Sequence, residues 1–297
     1  MNIYWPIYLN IESEINKLMY AIHMDDSHLN VHSSTISDLI LRCCAEIESL
    51  AKELYKNNGG PKKSGIKYDY DALNFLDDNW MVSKKKILIS SINCFFSKVE
   101  IAPFAKDTPK TDSPGKLTYM WNNAYQNLKH DRRNGLQYGN VAALFSAAAA
   151  LYILNIYFKD MSYDIGSWHD REEIDPFQGS SIFSVSLHPI GAMNAIGTFF
   201  KGKNFDESIY TSVIDDDSAK KARELMAQED EFSRQYITKG LMDLKEELVG
   251  KTQDEIKKAA NKLQMEAFSH MPRELVYKSY EAKKGIKIKA VLNKNQF

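Results

Sequence analysis

The sequence is poor in cysteine and lacks the short motifs that mark several common catalytic sites. Its three cysteines, Cys43, Cys44 and Cys94, form no C-x-x-C pair, which argues against a disulfide framework and against a zinc ribbon. No glycine-rich phosphate loop, no G-x-S-x-G and no H-E-x-x-H segment is present. The sequence therefore gives no support for P-loop nucleotide hydrolysis or zinc proteolysis, and it predicts no cofactor and no metal ion.

An excess of charge of one sign is also missing. The 38 lysines and arginines and the 39 aspartates and glutamates leave a net charge of -1, so no overall field draws the chain to nucleic acid or to a membrane. A nucleic-acid site would have to be a local patch. Residues 1–6 lack the basic-then-apolar layout of a signal peptide, and the unpaired thiols fit a reducing compartment. We therefore expect a cytoplasmic protein.

One apolar run is long enough to cross a bilayer. Residues 141–158 read VAALFSAAAALYILNIYF, but much of the run is alanine, which inserts weakly, and it includes Ser146 and Asn155. No basic cluster closely flanks its start. A helix that is apolar on all sides belongs either to a protein core or to a membrane. We expect the central helix of a soluble protein without membrane contact, and a membrane span is the alternative.

The N-terminal half has apolar side chains repeated every three or four positions, which is the spacing of helices. Ser113 and Pro114 have the residue types of a helix cap and first turn, and Asn140 is placed to cap the apolar run. Residues 87–92 leave two interpretations open, part of a helix or a buried strand. Helices are expected over residues 7–24, 34–55, 70–77, 83–96, 113–130 and 141–158.

Beyond residue 160 the pattern changes. Residues 161–178 have a loop-like composition, and Thr252 with Glu255 forms a capping-box pattern. Helices are expected over residues 215–248 and 253–268, and strands over 181–187 and 285–292. The sequence therefore predicts a mainly α fold. It divides into a helical bundle over residues 1–160 and a smaller C-terminal α+β region over residues 161–297, whose role the sequence does not define.

Two loops contain groups that could bind a metal or transfer a proton. One loop holds Asp25, Asp26, His28 and His32. The other holds His169, Asp170, Glu172 and Glu173. The spacing in the first loop fits no closed metal site, and the second fits either an acid–base cluster or a surface loop. We expect polar loops in both places.

The segment around residue 130 carries the densest chemistry. On a helix, Asn123, Asn127 and His130 stand at positions i, i+4 and i+7 and share one stripe. This helix ends in the run Lys129-His130-Asp131-Arg132-Arg133. Histidine changes charge near neutral pH, amides can hold a phosphate or a base edge, and cations balance a phosphate. The stripe therefore indicates phosphodiester chemistry. The alternative is a solvated polar face whose basic end complements the helix dipole.

Each residue of this segment has an expected role. We assign proton transfer to His130, with Arg132 and Asn127 completing the catalytic set. Substrate binding is assigned to Asn123, Lys129, Asp131, Arg133 and Tyr125.

This segment has the pattern Trp121-x3-Tyr125-x-Asn127-x-Lys129-His130-Asp131-Arg132, and the apolar run follows it. In this arrangement it resembles the active-site hairpin of the HEPN superfamily. Residues 40–55, ILRCCAEIESLAKELY, resemble the long earlier helix of the same bundle. The resemblance covers residues 7–160. It implies a bundle of four or five helices, usually a homodimer in which two such helices face each other across a cleft. Active members are metal-independent RNases of toxin–antitoxin, abortive-infection and CRISPR-linked defence systems.

The family motif is an arginine, four to six residues and a histidine. His130 matches the histidine, while the allowed arginine positions hold Asn123, Ala124 and Tyr125. Asn123 is the chemically nearest substitute but lacks charge, and Arg132 or Arg133 could supply that charge from beyond the histidine. We expect an endoribonuclease of a prokaryotic defence or toxin-type system, in which a ribose 2′-OH attacks the adjacent phosphate of RNA. The alternative is a non-catalytic HEPN-like module that binds RNA, a nucleotide or a protein partner in a defence complex.

Overall fold

The computed structural model describes residues 2–167, 170–189 and 201–295 of the chain. Within them the protein is mainly helical, with short strands and a smaller part that mixes helices and strands. The chain forms two compact units. The first comprises Met1–Tyr163, Ile174–Ser212 and Ala290–Phe297, and the second comprises Asp164–Glu173 and Val213–Lys289. The first unit thus includes two segments that lie beyond residue 160.

The helices of the first unit are α1 (Tyr4–Ala21), α2 (Ser34–Asn57), α3 (Leu73–Trp80), α4 (Met120–His130), α5 (Arg132–Gly135) and α6 (Val141–Lys159). The side chains of Ser33 and Asn140 cap α2 and α6, because each accepts a hydrogen bond from a backbone N–H of the first turn. The cap at Asn140 confirms the prediction. Helix α6 is central, since α1, α2 and α4 all pack against it.

Helix α6 is the predicted buried helix. Among the described residues it alone is long and apolar enough to cross a membrane, and 89% of its most apolar window is buried inside the protein. Asn155 is fully buried within it and donates from Nδ2 to the carbonyl oxygen of Leu151, 3.0 Å away. This burial is typical of a core helix and confirms the interpretation as part of a protein interior.

The first strands along the chain are β1 (Met24–Asp25), β2 (Ile87–Ile89), β3 (Cys94–Phe95), β4 (Glu100–Ile101), β5 (Thr108–Pro109), β6 (Leu117–Thr118), β7 (Tyr163–Ser167), β8 (Phe183–Ser184), β9 (Leu187–Pro189) and β10 (Tyr210–Ile214). Strand β2 lies between β4 and β8 and is antiparallel to both. It confirms the strand interpretation of this segment, and the helix expected over residues 83–96 is wrong. Strands β9 and β10 pair in parallel, with Leu187 opposite Tyr210.

The helix expected from Ser113 begins only at Met120. Residues 108–118 instead form a hairpin in which β5 and β6 are antiparallel. The backbone N–H of Lys110 donates to the carbonyl oxygen of Lys116 across the turn, and Gly115 there has a φ of 83°. A positive φ favours glycine and ends a helix, so Ser-Pro-Gly serves here as a turn rather than as a helix start.

The second unit contains α7 (Asp216–Asp243), α8 (Lys245–Leu248), α9 (Gln253–His270), α10 (Arg273–Lys284) and the first half of β11 (Lys287–Leu292). Helix α7 packs against α9 and α10. The expected capping box is present at α9, where Thr252 and Glu255 each accept from the other's backbone N–H. The long helix expected over residues 215–248 is divided between α7 and α8.

The core of the first unit includes residues from the far end of the chain. The hydroxyl of Tyr157 on α6 donates to the carbonyl oxygen of Asn293 at 2.8 Å, and both residues are buried. Asn293 also donates from Nδ2 to the carbonyl oxygen of Phe205 at 2.7 Å. Segments separated by more than a hundred residues therefore complete one core.

One lysine of the first unit lies in the interior. Lys85 is 0% exposed, and its Nζ has no hydrogen-bond partner among the described residues. Burial lowers the pKa of this amine from 10.5 to about 8, against the opposing field of the Asp206 carboxylate. Lys201 and Lys84 lower this pKa further. A buried and unpaired amine costs stability, which makes Lys85 a target for substitution.

Candidate functional site

Helix α4 is fixed by its buried face. Trp121 is 0% exposed and donates from Nε1 to the carbonyl oxygen of Pro103 at 3.0 Å. Ala124 and Leu128, one and two turns further on, are also buried. These contacts set the rotation of α4 about its axis, and so decide which side chains reach the surface at its C-terminal end.

A buried polar network adds to this anchoring. The hydroxyl of Tyr68 donates to Oδ1 of Asn122 at 2.6 Å, and Nε2 of Gln126 donates to the Tyr68 hydroxyl at 3.1 Å. Burial raises the pKa of Tyr68, so the phenol remains a donor. The sequence analysis did not identify this network, because Tyr68 and Asn122 are 54 positions apart.

The two asparagines of the expected stripe hold the β5–β6 hairpin. Oδ1 of Asn123 accepts from the backbone N–H and the hydroxyl of Thr111, at 3.0 and 3.1 Å. Asn127 donates from Nδ2 to that hydroxyl at 3.2 Å and to the carbonyl oxygen of Asn123 at 2.8 Å. The Asn127 amide nitrogen therefore has internal partners.

Tyr125 lies under Lys129. Tyr125 is buried, and the Lys129 ammonium donates to its hydroxyl at 3.3 Å and lies 5.1 Å from the ring centre. The ring is thus covered on one side by a cation. Lys129 itself is exposed, so its charge reaches solvent beside the end of the helix.

The end of α4 brings the cluster together. His130 is the last residue of the helix, is exposed, and makes no hydrogen bond, ion pair or ring contact with the described part of the chain. Asp131 accepts from Asn134 and so caps α5. The carboxylate expected to bind substrate therefore acts here as a cap. The imidazole stands free at a helix end that faces solvent.

The two arginines that follow differ in their partners. Arg132 pairs with Asp38 of α2 at 2.6 Å, and both side chains are about half exposed. Arg133 is exposed and pairs with no described residue. An exposed pair such as Arg132–Asp38 contributes roughly 0 to 1 kcal/mol, so a phosphate can compete for the guanidinium. Within the described ranges the arrangement therefore offers an imidazole and a guanidinium without partners, and a second guanidinium that is weakly held.

The other candidate clusters are the two loops that contain histidine and carboxylate side chains. No group of three metal-binding side chains is present in the described ranges. Hydrogen bonds from Ser27 and His28 lower the pKa of Asp25 to about 2, so this carboxylate is already engaged. His32 lies in an isolated backbone bridge with Asn140. His169 lies outside the described residues, so the polar loop expected there stays a prediction, with the acid–base cluster as its alternative.

Comparisons with known protein families, with curated proteins and with solved structures give no match for this chain.

Proposed function

We propose that the chain is a HEPN-like, metal-independent endoribonuclease in which His130 transfers the proton. The observation that supports this most is that His130 and, three residues later, Arg133 are exposed and have no partner in the described part of the chain. An exposed imidazole that two arginines follow within three positions of the chain suits attack on a phosphodiester. The resemblance to the superfamily supplies the rest of the proposal, a prokaryotic defence or toxin-type system and a homodimer whose two sites face each other.

The proposed reaction is an internal transfer within RNA. The ribose 2′-OH attacks the adjacent phosphorus and gives its proton to a base, while the bond from phosphorus to the 5′ oxygen breaks and that oxygen takes up a proton. His130 serves as base or acid, and the second copy of His130 in a dimer serves in the complementary role. Arg133 and Arg132 balance the charge that grows on the phosphate oxygens. The products are a 2′,3′-cyclic phosphate and a 5′-hydroxyl end.

A second candidate function is RNA binding without cleavage. It is favoured by the residues that this chain has where the family motif has its arginine. These residues are Asn123, Ala124 and Tyr125, and all three are buried. None of these side chains carries the positive charge with which an arginine binds phosphate. In addition, no carboxylate of the described residues contacts the His130 ring to orient it. The basic corner, formed by Lys129, Arg132 and Arg133, then binds RNA and leaves it intact.

Incubation with RNA separates the two functions. Purified protein is mixed with labelled RNA in the presence of EDTA, and binding and cleavage are measured in parallel. Fragments that end in a 2′,3′-cyclic phosphate support the nuclease. Binding without fragments supports the module, and the absence of both contradicts the proposal that this chain acts on RNA.

Arg133→Ala should weaken RNA binding and make it less dependent on salt. Each phosphate contact that is lost lowers the slope of log affinity against log salt by about 1. Titrations at several salt concentrations measure that slope. The matched control is Arg223→Ala, an exposed arginine of the second unit, which should leave the slope unchanged. Equal slopes for the two variants would show that Arg133 does not contact the RNA backbone.

Asp38→Asn should have the opposite effect and tighten RNA binding. The substitution removes the negative charge that Arg132 faces at 2.6 Å and frees the guanidinium for phosphate. We expect an increase of about 1.5- to 5-fold, which corresponds to the roughly 0.2–1 kcal/mol of an exposed ion pair. Combination with Arg132→Ala should abolish the gain. A gain that persists in the double variant would mean that Asp38 acts without Arg132.

A further inference from the structure

A cavity of about 440 Å³ opens beside α4 in the first unit. Its walls come from α4, from the β5–β6 hairpin and from the start of α6, and Asn123 is one of the lining residues. The volume lies within the range of about 300–1,000 Å³ that is common for small-molecule sites. No carboxylate is found among the described residues that line it. The described lining therefore carries no negative charge that would repel an electron-rich group.

The amide of Asn123 has a fixed orientation. Its Oδ1 accepts two hydrogen bonds from Thr111, so the amide cannot turn over without losing both of them. The end that remains is the donor Nδ2, which has no acceptor among the described residues. Asn123 is only 7% exposed, yet Nδ2 is not sealed from solvent as the Nζ of Lys85 is. An almost buried donor that no described residue engages is available to an acceptor of a ligand in this cavity.

The remaining walls fit a planar ring. Ala124, Ala142 and Ala143 give a shallow apolar surface, and Tyr138 supplies an aromatic ring at the wall. Met120 is 41% exposed and also lines a second cavity of about 250 Å³. Small and aromatic side chains of this kind accept an unstacked base and stack against its face.

We propose that this cavity takes a nucleobase of the bound RNA, with Nδ2 of Asn123 donating to a carbonyl oxygen or ring nitrogen of the base. The inference rests on the proposed function, because it places the base on the helix that ends in His130. Seven residues separate Asn123 from His130, about 10 Å along the helix axis. A short stretch of single-stranded RNA spans that distance, with its base in the cavity and its phosphate at the basic corner.

The test uses Asn123→Asp in the full chain. Aspartate keeps the oxygen that accepts from Thr111 and replaces the free donor by an acceptor, so the hairpin retains its hydrogen bonds. The matched control is Asn10→Asp, an exposed asparagine whose Oδ1 accepts from Arg42 and which undergoes the same change of charge. Two probes are used, a short oligoribonucleotide and the same sugar–phosphate chain without bases. Thermal unfolding checks that each variant is folded.

We expect Asn123→Asp to lower affinity for the oligoribonucleotide about tenfold relative to Asn10→Asp, with no such difference on the chain without bases. Equal affinities of the two variants for the oligoribonucleotide would overturn the base site while leaving the proposed function standing. A wild-type protein that binds neither probe would instead remove the proposed function itself. If Asn123→Asp unfolds, Met120→Trp closes the cavity from an exposed position and should give the same selective loss; no loss overturns the proposal.

Discussion

His130→Ala should lower RNA cleavage at least 100-fold and leave RNA affinity nearly unchanged. Proton transfer by a positioned side chain contributes about 10²–10⁴-fold to a rate, and alanine removes the group that carries it. The imidazole is exposed and has no described partner, so its loss should change the free energy of unfolding by less than about 0.5 kcal/mol. Cleavage rates at saturating and at limiting RNA separate the loss of catalysis from a loss of binding.

Two further variants make the result specific. His130→Gln keeps much of the volume and a hydrogen-bonding amide but cannot take up a proton, so it should be as inactive as alanine. Lys129→Ala removes the neighbouring charge and should lower affinity rather than the rate at saturation. Cleavage that survives in His130→Ala would end the nuclease proposal. A loss of cleavage that comes with a lower melting temperature would assign His130 to the fold.

Lys85→Met should raise the free energy of unfolding at pH 7 by up to about 3 kcal/mol. The fall of the amine pKa from 10.5 to about 8 corresponds to about 3 kcal/mol, because each pKa unit is about 1.36 kcal/mol. Below pH 8 the amine is charged in both the folded and the unfolded chain, and the folded chain carries the whole cost of burial. Methionine fills a similar space with no polar group left unpaired.

The stability that Lys85→Met gains over the wild type should decrease as the pH rises. Between about pH 8 and 10.5 the folded chain has lost the Lys85 proton while the unfolded chain still holds it. The contribution of Lys85 to wild-type stability therefore rises with pH across this interval, and the advantage of methionine shrinks. Chemical denaturation from pH 7 to pH 9.5 measures the difference.

The neighbouring lysine provides the control for this substitution. Lys84 pairs with Asp206 at 3.3 Å and is half exposed, so Lys84→Met should change stability by no more than about 1 kcal/mol at any of these pH values. A Lys85→Met variant that is less stable than the wild type, or whose difference does not change with pH, would show that the amine is accommodated by the interior.

Much of the fold could be predicted from local pattern. Helix α6 follows from an unbroken apolar run with Asn140 as its cap, and α9 follows from Thr252 and Glu255. Where the prediction was wrong, the same local sequence pattern fits two different structures. Ser113 and Pro114 fit both a helix start and a tight turn, and only the hydrogen bond across the β5–β6 hairpin decides between them.

The candidate site could also be predicted only in part. The exposure of His130 and of the arginines follows from their charge and from their place at a helix end. The partners of Asn123 and Asn127 could not be predicted, because Thr111 reaches them from a hairpin 12 and 16 positions earlier. Helical spacing shows which side chains share a stripe, but it does not show which other segment of the chain binds them.

The hydrogen bond from Tyr157 to Asn293 bears on the order of events during synthesis. Residues 290–295 belong to the first unit, yet the ribosome makes them after the whole second unit. A nascent chain can therefore form α1 to α6 early, but the interior around Tyr157 stays incomplete until translation has passed residue 293.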